Sequence, residues 1–329
     1  MNSRIAKRLR RLTALLLLTA FLLSMFASGA SAASARTKAA YLGPMATPFD
    51  GTFGAMFPGA SPDRKTKLLL KTIDAIPDGA ASRFVVTYGA PGLRNFTWAA
   101  TEEGERLTRA MDALDGFPLD FVMLDLTTGR GIAYLPDETM YSASCMKGPY
   151  VAAVCQYQTS RVTASWQKQM RLAIVESDNS AYSTVHKKYG TKGMAKLMET
   201  AGVDSFDPSK RYASLPPEDL AKLWVAMYQY LFLSTETDDL HTWCRRLFLK
   251  SRESFFRDAL PGQKVYSKPG WLDLRRYNTR NDAGIIIGKD RNGNRAPYVL
   301  VVMSSAYGKD AELRELTRAL DGVHTLLAS

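Results

Sequence analysis

The sequence predicts an α+β fold: an antiparallel sheet flanked by terminal helices, with a separate helical subdomain. Three features carry this expectation. Two β-rich runs follow an early amphipathic helix, two more precede a last one, and the stretch between, Ser144 to about Phe256, reads almost wholly as helix.

Taken in order, the first of these helices covers Thr101 to Leu114. Thr101 stands at its start, and Glu102 and Glu103 fall in the first turn, where carboxylates suit the exposed N–H groups. The runs Phe121–Leu126 and Gly131–Leu135 alternate or cluster β-formers, and Thr127-Thr128-Gly129-Arg130 joins them as a hairpin turn. Two further strands, Ala283–Gly288 and Tyr298–Ser304, flank a turn-rich loop from Lys289 to Asn294. An amphipathic helix from Asp310 to Leu327 closes the pattern. Ahead of Thr101, residues 33–100 are rich in Gly, Pro and Ala, as at Gly43-Pro44, Pro58-Gly59 and Pro91-Gly92. They hold one helical run, Lys65–Ile76, and one β-rich run, Phe84–Tyr88, and read as an N-terminal extension of unknown role.

Residues 1–32 read as an export signal. Arg4, Lys7, Arg8, Arg10 and Arg11 precede an apolar run from Leu12 to Ala27, and Ala30-Ser31-Ala32 offers the small residues of a cleavage site. The run is shorter than the roughly 20 residues that span a bilayer. Cleavage and a secreted or cell-envelope location are therefore expected, with no stable membrane anchor afterwards. The 43 Lys and Arg outnumber 32 Asp and Glu, but removal of the signal leaves 38 basic residues and a net charge near +6. That excess specifies no partner, and no nucleic-acid motif accompanies it. The three cysteines, Cys145, Cys155 and Cys244, allow at most one internal disulfide. Cys145 and Cys155 are about 15 Å apart along one helix, so any bridge uses Cys244. No metal or cofactor motif is found.

Only His186, His241 and His324 are available for a serine–histidine arrangement, and none lies in a Gly-x-Ser-x-Gly turn. A lysine is then the natural base for a serine nucleophile. Ser144-Cys145-Met146-Lys147 supplies one: on a helix, positions i and i+3 share a face, and the helix start favours developing negative charge. Ser-x-x-Lys is weak alone, since roughly one is expected by chance, and Ser165-Trp166-Gln167-Lys168 is a second match. Ser177-Asp178-Asn179 offers a hydroxyl and an amide, or equally a capping cluster. Lys268-Pro269-Gly270 enters the late strands.

In this order, the three motifs make the signature set of class A β-lactamases and penicillin-binding proteins. From Thr101 to Ser329 the chain resembles that family of β-lactamase/transpeptidase-like serine hydrolases. The resemblance rests also on Asp125–Tyr134, Asn281-Asp282 and Ala296–Met303. It implies a hydrolase domain over residues 101–329 acting through an acyl-enzyme. Ser144 would be acylated, Lys147 would remove its proton, and Ser177 would pass a proton to the leaving nitrogen. Asn179, Lys268, Gly270, Trp271 and Arg280 would bind substrate, with the N–H groups of Ser144 and Trp271 as the oxyanion hole. The implied substrate is a β-lactam or a peptidoglycan-type peptide.

Three departures qualify the implied activity. Ser177 follows Ser144 by only 33 residues, about half the family's usual separation. The segment Ala201–Tyr212, where efficient β-lactamases keep a deacylating glutamate, has only Asp204 and Asp207 as carboxylates. Pro269 stands where a Thr or Ser is usual, losing a hydroxyl and a strand N–H. Pro149, five residues after Ser144, is a feature shared with penicillin-binding proteins. A β-lactamase-like hydrolase, a cell-wall D,D-carboxypeptidase or transpeptidase, and a slowly acylated sensor domain all remain open.

Overall fold

Helices pack on both faces of one central sheet. In chain order the computed structural model contains α1 (Pro62–Asp74), β1 (Val86–Tyr88), α2 (Glu102–Asp112), β2 (Leu119–Asp125), β3 (Gly131–Tyr134) and β4 (Met140–Tyr141). A 3-10 turn, Ala143–Met146, leads into α3 (Lys147–Tyr157), followed by α4 (Ala164–Val175), α5 (Asn179–Tyr189), α6 (Lys192–Ala201), β5 (Ser214–Leu215) and α7 (Pro217–Tyr228). After a π-helical turn come α8 (Asp239–Phe248), α9 (Phe255–Ala259), β6 (Lys264–Ser267), β7 (Gly270–Leu272), β8 (Thr279–Lys289), β9 (Arg295–Ser304) and α10 (Asp310–Leu327). The structure describes residues 60–76, 85–89, 100–234, 238–274 and 278–329, which fall in a compact unit running from Leu42 to Ser329. The export signal read over residues 1–32 lies outside the described residues, as do the Gly-Pro pairs near 43, 58 and 91.

The main sheet has the order β1-β3-β2-β9-β8-β6, with β7 also paired to β8. Every pairing is antiparallel. β2 is buried along its whole length, because helices cover both faces of the sheet. On one face α10 lies against β2 and β8 and packs on α2, so the first and last helices of the α+β pattern meet there. On the other, α7 lies across β9, β2 and β8 with Trp224 fully buried. α1 packs on α7, and β1 extends the sheet beyond β3. The segment 60–89 therefore adds a helix and an edge strand to the core.

The helix starts follow their side chains. Thr101 accepts a hydrogen bond from Gly104 N at 3.2 Å to open α2, and Asp178 accepts one from Ala181 N at 2.6 Å to open α5. Pro149 falls in the first turn of α3, where its missing N–H has no intrahelical partner to lose, so it fits the helix without strain. Cys145, Cys155 and Cys244 are buried free thiols. No described helix is long and apolar enough to cross a membrane.

A buried carboxylate–imidazole hydrogen bond fastens the sheet to the last helix. Asp125, ending β2, accepts at 2.8 Å from His324 Nε2 on α10, and both side chains are fully buried. Its other oxygen accepts from the N–H groups of Thr127 and Thr128, which shapes the β2–β3 turn. Burial pushes the Asp125 carboxyl up, but the bonds from His324 and Thr128 outweigh it and hold it below its ordinary value. A His324→Ala variant is expected to lose roughly 3–5 kcal/mol in urea unfolding, because it strands a buried carboxylate. Since the Asp125 value is depressed on folding, this stabilisation is fully present above about pH 4 and fades as the pH falls below that.

Candidate active site

Four separated stretches of chain converge beside the start of α3. Ala143 has a left-handed φ of 47°, a strained conformation that turns the chain sharply from β4 into the 3-10 turn and leaves Ser144 half-buried. Gly270 on β7 presses against this turn: a Cβ there would lie 2.7 Å from Ser144 N, Cys145 N and Ser142 O. Only glycine lets β7 come this close. Lys268 N donates to Ala283 O at 2.9 Å, and Gly270 pairs with Asn281. By the alternation of an antiparallel ladder, the N–H of Trp271 points away from β8.

Lys147 lies one helical turn beyond Ser144 and, like Lys268, has no exposed surface. Its Nζ donates to Ser177 O at 2.6 Å and Asn179 Oδ1 at 2.7 Å, with Ser177 Oγ at 3.5 Å. No hydrogen bond joins it to the Ser144 hydroxyl, contrary to the reach expected from the i, i+3 spacing; two stronger acceptors on the α4–α5 turn hold the amine. Lys268 Nζ donates to Ser177 Oγ at 3.0 Å and to Pro269 O at 2.7 Å. Ser177 is itself left-handed, with φ 57°, which aims its hydroxyl between the two amines. The Ser-Asp-Asn triplet does both jobs open at the sequence level, since Asp178 caps α5 while its neighbours face the lysines.

Burial lowers both lysines. Lys147 falls to about 8, against a raising influence from Asp178. Lys268 falls to about 7: burial leads, Cys145 and Asp282 oppose it, and the charges of Lys147 and Arg280 add to the lowering. The repulsion between the two amines thus weighs on Lys268. Behind them Asp282 is fully buried, and desolvation raises it to about 6 despite bonds from Ser254 Oγ at 2.6 Å and Phe256 N.

Arg280 sits opposite Trp271 on β8 and is already engaged. Its guanidinium pairs with Asp310 at the start of α10 and donates to Glu253 O at 3.0 Å, leaving Nη1 without a partner. The rival Ser165 and Lys168 lie exposed on α4. The three histidines are committed elsewhere: His324 to Asp125, His241 Nε2 to Tyr230 O at 2.8 Å, and His186 stacked on Tyr150. Asp204 and Asp207 are both exposed, and Asp207 accepts from Ser209 N within its own turn. One site residue has no motif to announce it. Tyr212, at the end of that same loop, donates to Asn179 Oδ1 at 2.9 Å.

Solved class A β-lactamases share this architecture. The reconstructed last common ancestor of Gram-negative bacterial class A enzymes matches at a TM-score of 0.53 and 19% identity, over 68% of this chain and 99% of that one. The class A β-lactamase from Mycobacterium abscessus gives 0.53 and 16%, over 67% and 98%. The β-lactamase from Streptomyces albus G gives 0.52 and 19%, over 68% and 99%. At such identities the likeness establishes the fold. No curated protein matches the sequence. The family model described as the β-lactamase enzyme family matches residues 155–320, from the end of α3 through most of α10. With half of the chain inside that match and the fold around it shared, the chain belongs to the β-lactamase enzyme family.

Proposed function

We propose that the protein is an exported serine hydrolase that is acylated on Ser144 by β-lactams or related amides and releases the acyl group slowly. The observation that carries this reading is the meeting of Lys147, Ser177, Asn179 and Lys268, from separate parts of the chain, beside the Ser144 turn. In the proposed reaction neutral Lys147 takes the Ser144 proton as Oγ bonds to the carbonyl carbon. The C–N bond then breaks, and the nitrogen receives a proton through the Ser177 hydroxyl. The N–H groups of Ser144 and Trp271 take the developing oxyanion charge, while Gly270 keeps β7 close enough to supply the second of them. Asn179 offers its NH₂ to the substrate's side-chain amide, and Lys268 attracts its carboxylate.

Slow release follows from what surrounds the ester. A water must be activated on its open face, and the loop that would supply a carboxylate there presents Tyr212 instead, with Asp204 and Asp207 turned outward. Incubation with a fluorescent penicillin, followed by intact-mass and peptide mapping over time, is expected to show an adduct on the Ser144 peptide that accumulates and clears slowly. Its persistence supports the D,D-peptidase or sensor alternative over a resistance enzyme. Burst-free hydrolysis of a chromogenic cephalosporin at roughly 10–10³ per second would overturn slow release, and absence of any adduct would overturn the acylation chemistry.

A further inference from the structure

The loop between α6 and β5 is tied down on both sides of Tyr212. Before it, Arg211 O accepts from the Tyr182 hydroxyl at 3.1 Å, which fixes the loop to α5. After it, Ala213 O accepts from Ser142 N at 3.0 Å and Ser142 Oγ at 2.7 Å, and β5 pairs with β4. The loop is therefore in register with the strand that leads into the Ser144 turn. Tyr212 is delivered where its hydroxyl reaches Asn179 Oδ1 and its ring approaches Lys147.

Two consequences follow for groups the acylation reading uses. Asn179 Oδ1 accepts from both Lys147 Nζ, at 2.7 Å, and the Tyr212 hydroxyl, at 2.9 Å. A lysine ammonium can only donate, so the amide orientation is fixed and its NH₂ faces away from both. Lys147 Nζ also lies 5.6 Å from the Tyr182 ring centre and 5.8 Å from that of Tyr212, and the two rings meet edge-on at 5.6 Å. The amine is framed by two aromatic rings, which attract a cation but also keep water from it.

We propose that Tyr212 is a positioning residue for acylation, orienting Asn179 through its hydroxyl and enclosing the Lys147 amine with its ring. The proposal rests on Lys147 being the base. The other charged and titratable groups facing that amine are Asp178 on the α4–α5 turn, Lys268 ahead of β7 and Tyr182 on α5, with Arg211 next to Tyr212 in the loop.

Two substitutions separate the two roles. Tyr212→Phe keeps the ring and removes the donor, and is expected to lower the penicillin acylation rate about tenfold without moving the pH midpoint of the rate, as misplacement of a substrate-binding group does. Tyr212→Leu also opens the amine to water and is expected to raise that midpoint by about one pH unit, because relief of desolvation favours the charged lysine. A titration of ¹³C-lysine-labelled protein by NMR, with the Lys147 signal assigned through Lys147→Arg, reads the same shift with no substrate present. A merely structural tyrosine would lower thermal stability in both variants while leaving the acylation rate, its pH profile and the Lys147 titration unchanged, and that result overturns the proposal. If wild-type protein is not acylated at all, the acylation reading fails. The NMR titration then still decides the enclosure of Lys147, an unmoved midpoint in Tyr212→Leu refuting it.

Discussion

Ser144→Ala is expected to abolish every covalent adduct with a β-lactam while leaving the fold intact. The chemistry has no substitute oxygen. Ser177 Oγ is engaged by Lys268, and Ser165 is exposed on α4, where its hydroxyl pairs with that of Thr163 at 3.0 Å. The structural cost is small because Ser144 is half-buried, its hydroxyl holds no hydrogen bond among the described residues, and alanine suits a 3-10 turn. Away from large cavities such a change stays within about 0.5 kcal/mol. Intact-mass spectrometry after penicillin treatment, alongside a thermal melt, tests both halves. Loss of labelling in Ser165→Ala with retention in Ser144→Ala would move the nucleophile to α4.

Lys147→Ala is expected to slow acylation by about 10²–10⁴-fold, the usual contribution of general-base help. The wild-type pH profile carries the same assignment. A base must be neutral to accept a proton, so acylation should rise with pH through about 8, where Lys147 loses its charge. Lys268 loses its own near 7, so attraction of an anionic substrate weakens over the same range, and a bell-shaped dependence of the second-order rate constant is expected. In the Lys147→Ala variant the rising limb should disappear. Near-normal acylation there, or a rising limb still centred at 8, would assign the base to another group.

The fold was legible because its elements agree at every level. The run from Asp310 to Leu327 is amphipathic at helical period, and it is α10 to the residue. Thr101 with Glu102 and Glu103 marks the start of α2 in the way its cap geometry shows. The hairpin turn was readable because Asp125 and Thr128 carry the turn's own hydrogen bonds. Of the motif residues, Lys147, Ser177 and Lys268 are linked by hydrogen bonds beside the Ser144 turn, and each stood out in the sequence by its type and order. What stayed hidden was set by long-range pairing. That His324 answers Asp125 depends on a pairing 199 positions apart in sequence, and neither side chain says so locally. Arg280 stands in the sequence as a candidate for substrate binding, and its pairing with Asp310 of the next helix could not be read there. Tyr212 is one of 15 tyrosines, and the β4–β5 pairing together with the Tyr182 bond to Arg211 O brings it to the site.

Pro269 has a bearing on solubility. β6 and β7 form the side of the sheet that ends at β8's outer neighbours, and Pro269 lies between them with no N–H to offer and its carbonyl occupied by Lys268 Nζ. An incoming strand from another molecule would meet a run of only four residues in β6, then a break, then a three-residue β7 against which the Ser144 turn already packs. At the far side, β1 is only three residues long. Interrupted and short margins are how sheets resist pairing end to end between molecules. The chain is therefore guarded against strand-to-strand aggregation by the same proline that interrupts its lysine motif.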